Sequence, residues 1–151
     1  EWRSIYRNVL LGLEIQGELT KDNLSYVDEL LKLYELDKFR DSRPSQLSGG
    51  MQQRVQISKA IANNPPILLL DEVTTGLDLS VQAKVLDLIR TIQQELGIAM
   101  MIVSHDLSVI RMMSDRTMVM LGGRVVEEGL TDQILEDPLH AYTQTLVSSL
   151  L

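Results

Sequence analysis

Apolar residues near the start of the chain fall at helical spacing: Ile5, Val9, Leu10 and Leu13, with Gly17 placed to end the segment. Thr20 predicts an N-cap, and Leu24, Val27, Leu30, Leu31 and Tyr34 line one face of a second helix. The polar link DKFRDSRPSQ, with Pro44 inside it, interrupts this pattern. After LSGG the helical spacing resumes with Val55, Ile57, Ala60 and Ile61, until Asn63-Asn64-Pro65-Pro66 stops it. From residue 67 the texture changes. ILLL (67–70) is a continuous apolar run too short for an independent helix, and it predicts a strand buried on both faces.

Ser80 predicts the cap of a helix through about Leu96, with Val81, Val85, Leu88, Ile89 and Ile92 inward and Gly97 at its end. IAMMIVSH (98–105) predicts a second buried strand, followed by helical residues around 107–114. TMVML (117–121), the Gly122-Gly123 turn and RVVEEG predict a hairpin. Thr131 predicts the cap of a short helix ended by Asp137-Pro138, and a last helix covers Tyr142 to Leu150. Strand, helix, strand, helix in this order points to a parallel sheet in an α/β domain.

Composition narrows the class without naming an activity. At 151 residues, 44% hydrophobic and 23% charged, the chain has enough material for one domain with a real core. No apolar run approaches the length of a membrane span, and the polar EWRSIYRN start is unlike a secretory signal. The absence of Cys removes disulfides and thiolate metal sites and is compatible with a reducing cytosol. A net charge of −7 disfavours nucleic acid as a partner, because neutralising phosphates needs a basic surface.

Two stretches carry chemistry. ILLLDE delivers Asp71 and Glu72 at the carboxyl end of a strand, where open α/β sheets bind their ligands. An Asp there can hold Mg²⁺, which prefers hard oxygen ligands, and the next carboxylate can polarise an attacking water. The plain alternative is an acidic pair that merely solvates the strand end. In LSGGMQQRV, Ser48 suits an N-cap, so the amides of Gly49, Gly50 and Met51 lie at a helix N-terminus, which favours an anion. The plain alternative there is a capped helix with two flexible residues. Arg54 is expected to cover apolar surface or pair with an acid, and His140 to be structural or at the surface. The seven Met residues are expected to fill the core rather than bind metal.

LSGGMQQRV, ILLLDE, the loop TTGLD and IVSHD, in this order, resemble the ATP-binding subunits of ABC transporters. The resemblance implies an α/β, RecA-like P-loop NTPase domain, with 1–64 a helical-subdomain remainder plus signature helix and 65–151 the second half of the ATP-binding core. It implies that Ser48, Gly49, Gly50, Met51 and Gln52 form the signature motif, and that Asp71 takes the Mg²⁺ role. Glu72 is then the residue that activates water, Asp78 belongs to the D-loop and contacts nucleotide across a dimer interface, and His105 is the switch histidine at the γ-phosphate. Val73 departs from the Pro usual after the acidic pair, which alters loop stiffness and leaves the carboxylates in place. No GxxxxGK[ST] cradle occurs, so the chain resembles the carboxyl-terminal part of such a subunit, with the cradle, the adenine-stacking aromatic residue and the Q-loop glutamine upstream of Glu1.

The same resemblance implies an ATPase using ATP and Mg²⁺, paired head to tail with a second ABC subunit. Membrane permease subunits are the expected partners, with the protein cytoplasmic and peripheral on the inner face of the membrane. SVQAKVLDLI and DPLHAYTQTLVSSLL are similar to the oligopeptide, dipeptide and nickel importer group. They are similar at least as much to the subunit associated with phosphonate carbon–phosphorus lyase, so a non-transport machine stands as the alternative. A third expectation is an interaction module without nucleotide chemistry.

Overall fold

A computed structural model describes residues 2–149. The elements run α1 (Ile5–Val9), α2 (Leu11–Gln16), α3 (Lys21–Leu33), two 3₁₀ turns (Asp37–Phe39 and Pro44–Gln46), α4 (Gly49–Ile61), β1 (Ile67–Asp71) and α5 (Leu79–Leu96). They continue with β2 (Ala99–Val103), α6 (Leu107–Met113), β3 (Arg116–Leu121), β4 (Arg124–Leu130), α7 (Thr131–Glu136) and α8 (Ala141–Ser148). Two compact units emerge: the chain up to Leu69 with Val73–Met101, and Leu70–Glu72 with the chain from Ile102 onward.

In the first unit α4 packs against α1, α3 and α5. Its core is Ile5, Val9, Leu13, Val27, Leu30, Leu31, Tyr34, Val55, Ile57, Ile61, Val85, Leu86, Ile89 and Ile92, each 5% exposed or less. The helix starts follow local chemistry: Thr20 Oγ1 accepts from Asn23 N–H at 3.2 Å and Ser48 Oγ from Met51 N–H, while Gly17 and Gly97 end α2 and α5. Two expectations fail here. The cap of α5 is Asp78, not Ser80: its Oδ1 accepts from the N–H groups of Ser80 (3.1 Å) and Val81 (3.0 Å), so the helix begins at Leu79. Leu86 rather than Leu88 is fully buried on α5. On α4, which runs through Ala60 as expected, Ala60 is exposed while Ser58 and Ala62 are buried. Small residues fit where α4 meets its neighbours closely, which hydrophobicity alone does not signal.

The strand expectations fail in part as well. β1 and β2 are neighbours in one sheet. Ala99 N–H donates to Pro66 C=O (3.4 Å) and Glu72 N–H to Val103 C=O (2.9 Å), so partners advance together and the strands run parallel, as expected. But burial alternates along β1: Leu68 and Leu70 are buried, whereas Ile67 and Leu69 are each 62% exposed. β2 leaves Met101 and Val103 nearly half exposed. A strand is buried on both faces only when a layer covers each, and among the described residues one face has none.

In the second unit β3 and β4 form the expected antiparallel hairpin, from Arg116 opposite Leu130 to Leu121 opposite Arg124. A bulge between Val119 and Met120 shifts the register, and Gly122 and Gly123 turn the chain at φ of 57° and 77°, which side chains disfavour. α7 packs on the hairpin and on α6. Thr131 does not cap α7. It is the helix's first residue, buried, with its hydroxyl 2.8 Å from that of Thr117. The cap of α8 is His140, whose Nδ1 accepts from Tyr142 N–H at 3.1 Å, and Glu127 of β4 accepts from the N–H groups of Leu139 (2.7 Å) and His140 (3.0 Å). The expected end of α8 at Leu150 lies outside the described residues. None of the seven Met residues is buried: Met101, Met112, Met118 and Met120 are 47–60% exposed, so they are not core filler.

Candidate functional site

The sequence-predicted residues fall in two places, one in each compact unit. In the first, Ser48 caps α4 from an extended conformation, its backbone at φ −66° and ψ 158°. Ser48 and Gly49 are exposed, Gly50 and Met51 partly so, and the first amides of α4 form a donor cluster at its N-terminus. The two glycines are not equivalent. A Cβ on Gly49 would meet the end of the Leu77 side chain at 3.3 Å, whereas one on Gly50 would meet Val81 Cγ1 at 2.5 Å. Gly50 therefore lets α4 lie against the first turn of α5, a reason independent of any anion. Gln52 turns its side chain to the preceding segment, where Nε2 donates to the carbonyls of Pro44 (3.1 Å) and Leu47 (3.2 Å). Neither the Val81 contact nor this use of Gln52 was legible in the motif.

Asp78, at the start of α5, spends Oδ1 on its own helix. The hydrogen bond from the Ser80 hydroxyl, then that from Val81 N–H, holds its carboxyl below the usual carboxylate range. A lowered value means that the contribution to stability is present above the ordinary pKa of 3.8 and is lost as pH falls through the folded value. Asp78→Ala is expected to lower the thermal midpoint by a few degrees at pH 7, as loss of an N-cap does. The difference should shrink as pH falls below 3.8 and the carboxyl becomes protonated in the folded state, in melts followed by circular dichroism. The signal for this cap was an Asp immediately before the apolar period of α5.

In the second unit, Glu72 and His105 follow the carboxyl ends of β1 and β2. His105 Nδ1 lies 2.9 Å from Oε1 and 2.8 Å from Oε2 of Glu72, and His105 N–H donates to Oε1 at 3.1 Å. Adjacent parallel strands bring these two residues together from 33 positions apart in sequence. Glu72 has φ +50°, a left-handed conformation that non-glycine residues rarely adopt and that collects at functional sites. A carboxylate facing Nδ1 places the proton on Nδ1, so a neutral ring presents a lone pair at Nε2 and a protonated ring presents a donor there. The hydrogen bond to Glu72, and then its charge, raise the His105 pKa above its ordinary 6.5. The pairing therefore stabilises the fold fully below pH 6.5, and that contribution disappears as pH rises through the raised value. A histidine titration by NMR should find His105 above 6.5, and Glu72→Gln should bring it down.

Asp71 lies at the end of β1 on the same exposed face as Ile67 and Leu69. No group of three or more His, Cys, Asp or Glu able to hold a metal occurs among the described residues. A single exposed carboxylate still suits Mg²⁺, which binds through one or two carboxylates together with waters and substrate phosphates rather than in a protein cage. Arg54 pairs with Glu35 (2.8 Å) and donates to Tyr34 C=O (3.3 Å), in the expected structural role.

The ABC transporter family model matches residues 3–75. A protein of Escherichia coli (strain K12) named for phosphonates utilization and ATP binding, PhnK, is 54% identical over 111 residues, which is 74% of this chain and 44% of that protein. The methionine import ATP-binding protein MetN 2 of Pectobacterium atrosepticum is 45% identical over 149 residues, covering 99% of this chain and 44% of that one. The structure of cbiO1 from Clostridium perfringens, part of the ABC transporter complex cbiONQ, superimposes with a TM-score of 0.77 at 31% identity over 89% of this chain and 54% of that one. The chain thus spans less than half the length of these two sequence relatives.

Proposed function

The chain belongs to the family of ABC transporter ATP-binding subunits, and from that premise we propose that the whole protein hydrolyses MgATP within a head-to-tail pair of subunits to drive solute import through a membrane permease. The observation that carries this reading is the Glu72–His105 pair at the ends of two adjacent parallel strands, the ligand-facing end of an open α/β sheet. In this reading Glu72 polarises the attacking water. His105, protonated more readily because Glu72 faces Nδ1, donates from Nε2 to the terminal phosphate. Asp71 would hold Mg²⁺, which when bound would supply charge neutralisation. The amides of Ser48 to Met51 serve the nucleotide of the partner subunit, and Asp78 lies toward the same interface. Catalysis is then positioning plus electrostatic stabilisation. Residues 1–64 act as helical-subdomain remainder with signature helix, and 65–151 as the second half of the core.

No helix among the described residues is long and apolar enough to cross a membrane. A peripheral place on the cytoplasmic face beside the permease fits this reading. The methionine importer relative supports import; the relative named for phosphonates utilization supports a second reading, service to a carbon–phosphorus lyase complex. Affinity purification distinguishes them. Recovery of an integral membrane permease is the expected result, and recovery of a soluble enzyme complex without permease would overturn import.

A further inference from the structure

The amides that open α4 can meet a ligand productively only if the extended segment leading into them is held still. Ser48 holds it loosely, since its cap bond to Met51 N–H is 3.4 Å long, at the weak end of the range. Gln52, a little over one turn further along, supplies what that bond lacks. Its Nε2 donates to Pro44 C=O at 3.1 Å and to Leu47 C=O at 3.2 Å, spending the carboxamide donors on the segment ahead of the helix. The segment is already folded to receive them: Leu47 N–H donates to Pro44 C=O (3.1 Å), Arg43 N–H donates to Gln46 Oε1 (2.8 Å), and the Leu47 side chain is buried. Gln52 itself is exposed, so its side chain contributes little to the core.

We propose that Gln52 is a positioning residue: its carboxamide splints the Pro44–Leu47 turn to α4 and thereby fixes the direction of the Gly49–Met51 amides. A group so committed acts through the backbone it holds rather than by touching nucleotide. The consequence for turnover rests on the ATPase reading above; the splint does not.

The test uses ¹⁵N relaxation of the 151-residue chain. Order parameters at Ser48, Gly49 and Gly50 should lie near the rigid value of about 0.85 in the parent and fall below about 0.6 in Gln52→Met, which keeps the volume and loses the donors. Gln52→Lys, which keeps a donor, should restore them, and the melting midpoint of Gln52→Met should move by only a few degrees. If Gln52→Met does not fold, Gln52→Asn, too short to reach both carbonyls, is expected to show the same loss. In the whole subunit Gln52→Met should lower kcat roughly tenfold with KM for MgATP unchanged, because a misaimed amide cluster weakens the transition state rather than nucleotide capture. Unchanged order parameters in the variant would overturn the splint. The relaxation measurement contains no nucleotide, so its failure and the failure of the ATPase reading are separately visible.

Discussion

Glu72→Gln in the whole ATP-binding subunit is expected to reduce turnover by about 10²–10⁴-fold, the span that general-base catalysis supplies, while MgATP binding persists. The substitution keeps shape and an oxygen able to accept from His105 N–H and Nδ1–H. Residue 72 keeps its left-handed backbone, to which neither side chain is better suited. Charge is the property that changes. A carboxamide cannot take a proton from water, and it no longer raises the His105 pKa. Steady-state phosphate release set beside equilibrium nucleotide binding separates a lost chemical step from a lost site. Hydrolysis at the parent rate would remove Glu72 from the mechanism.

Gly50→Ala carries the second large effect. The new methyl would sit 2.5 Å from Val81 Cγ1. A β-branched neighbour in a helix has one strongly preferred rotamer and cannot swing aside. Overpacking of this kind costs about 1–3 kcal/mol, against which Ala recovers at most about 1 kcal/mol of helix propensity over Gly. The clash therefore wins, and urea denaturation should show a net loss. Gly49→Ala is the control, since its methyl meets only the flexible tip of Leu77 at 3.3 Å. The double variant Gly50→Ala/Val81→Ala should recover stability, with a coupling of about 0.5–3 kcal/mol between contacting positions. Parent stability in Gly50→Ala alone would show that the helices do not approach this closely.

The legibility of the fold followed the range of the interactions involved. Ser48, Thr20, Gly17 and Gly97 were readable because a cap is settled within one turn of chain. Ser80 was chosen over Asp78 because both residues can cap, and the turn that precedes α5 decided between them. Thr131 was misjudged for the opposite reason: its partner, Thr117, is tertiary, whereas His140 takes the structural role expected of it, as the cap of α8.

By itself the sequence determined the alternation of helix and strand, the hairpin at Gly122-Gly123, and the motif order that identifies the family, because each is written in local periodicity or in short runs of residue types. Tertiary structure alone decided that Glu72 meets His105, that Gly50 is needed against Val81, that Gln52 turns back to Pro44 and Leu47, and that Ile67 and Leu69 stand uncovered. A side chain's chemistry belongs to its residue, but its partner and its covering layer are set by which distant segment packing places beside it.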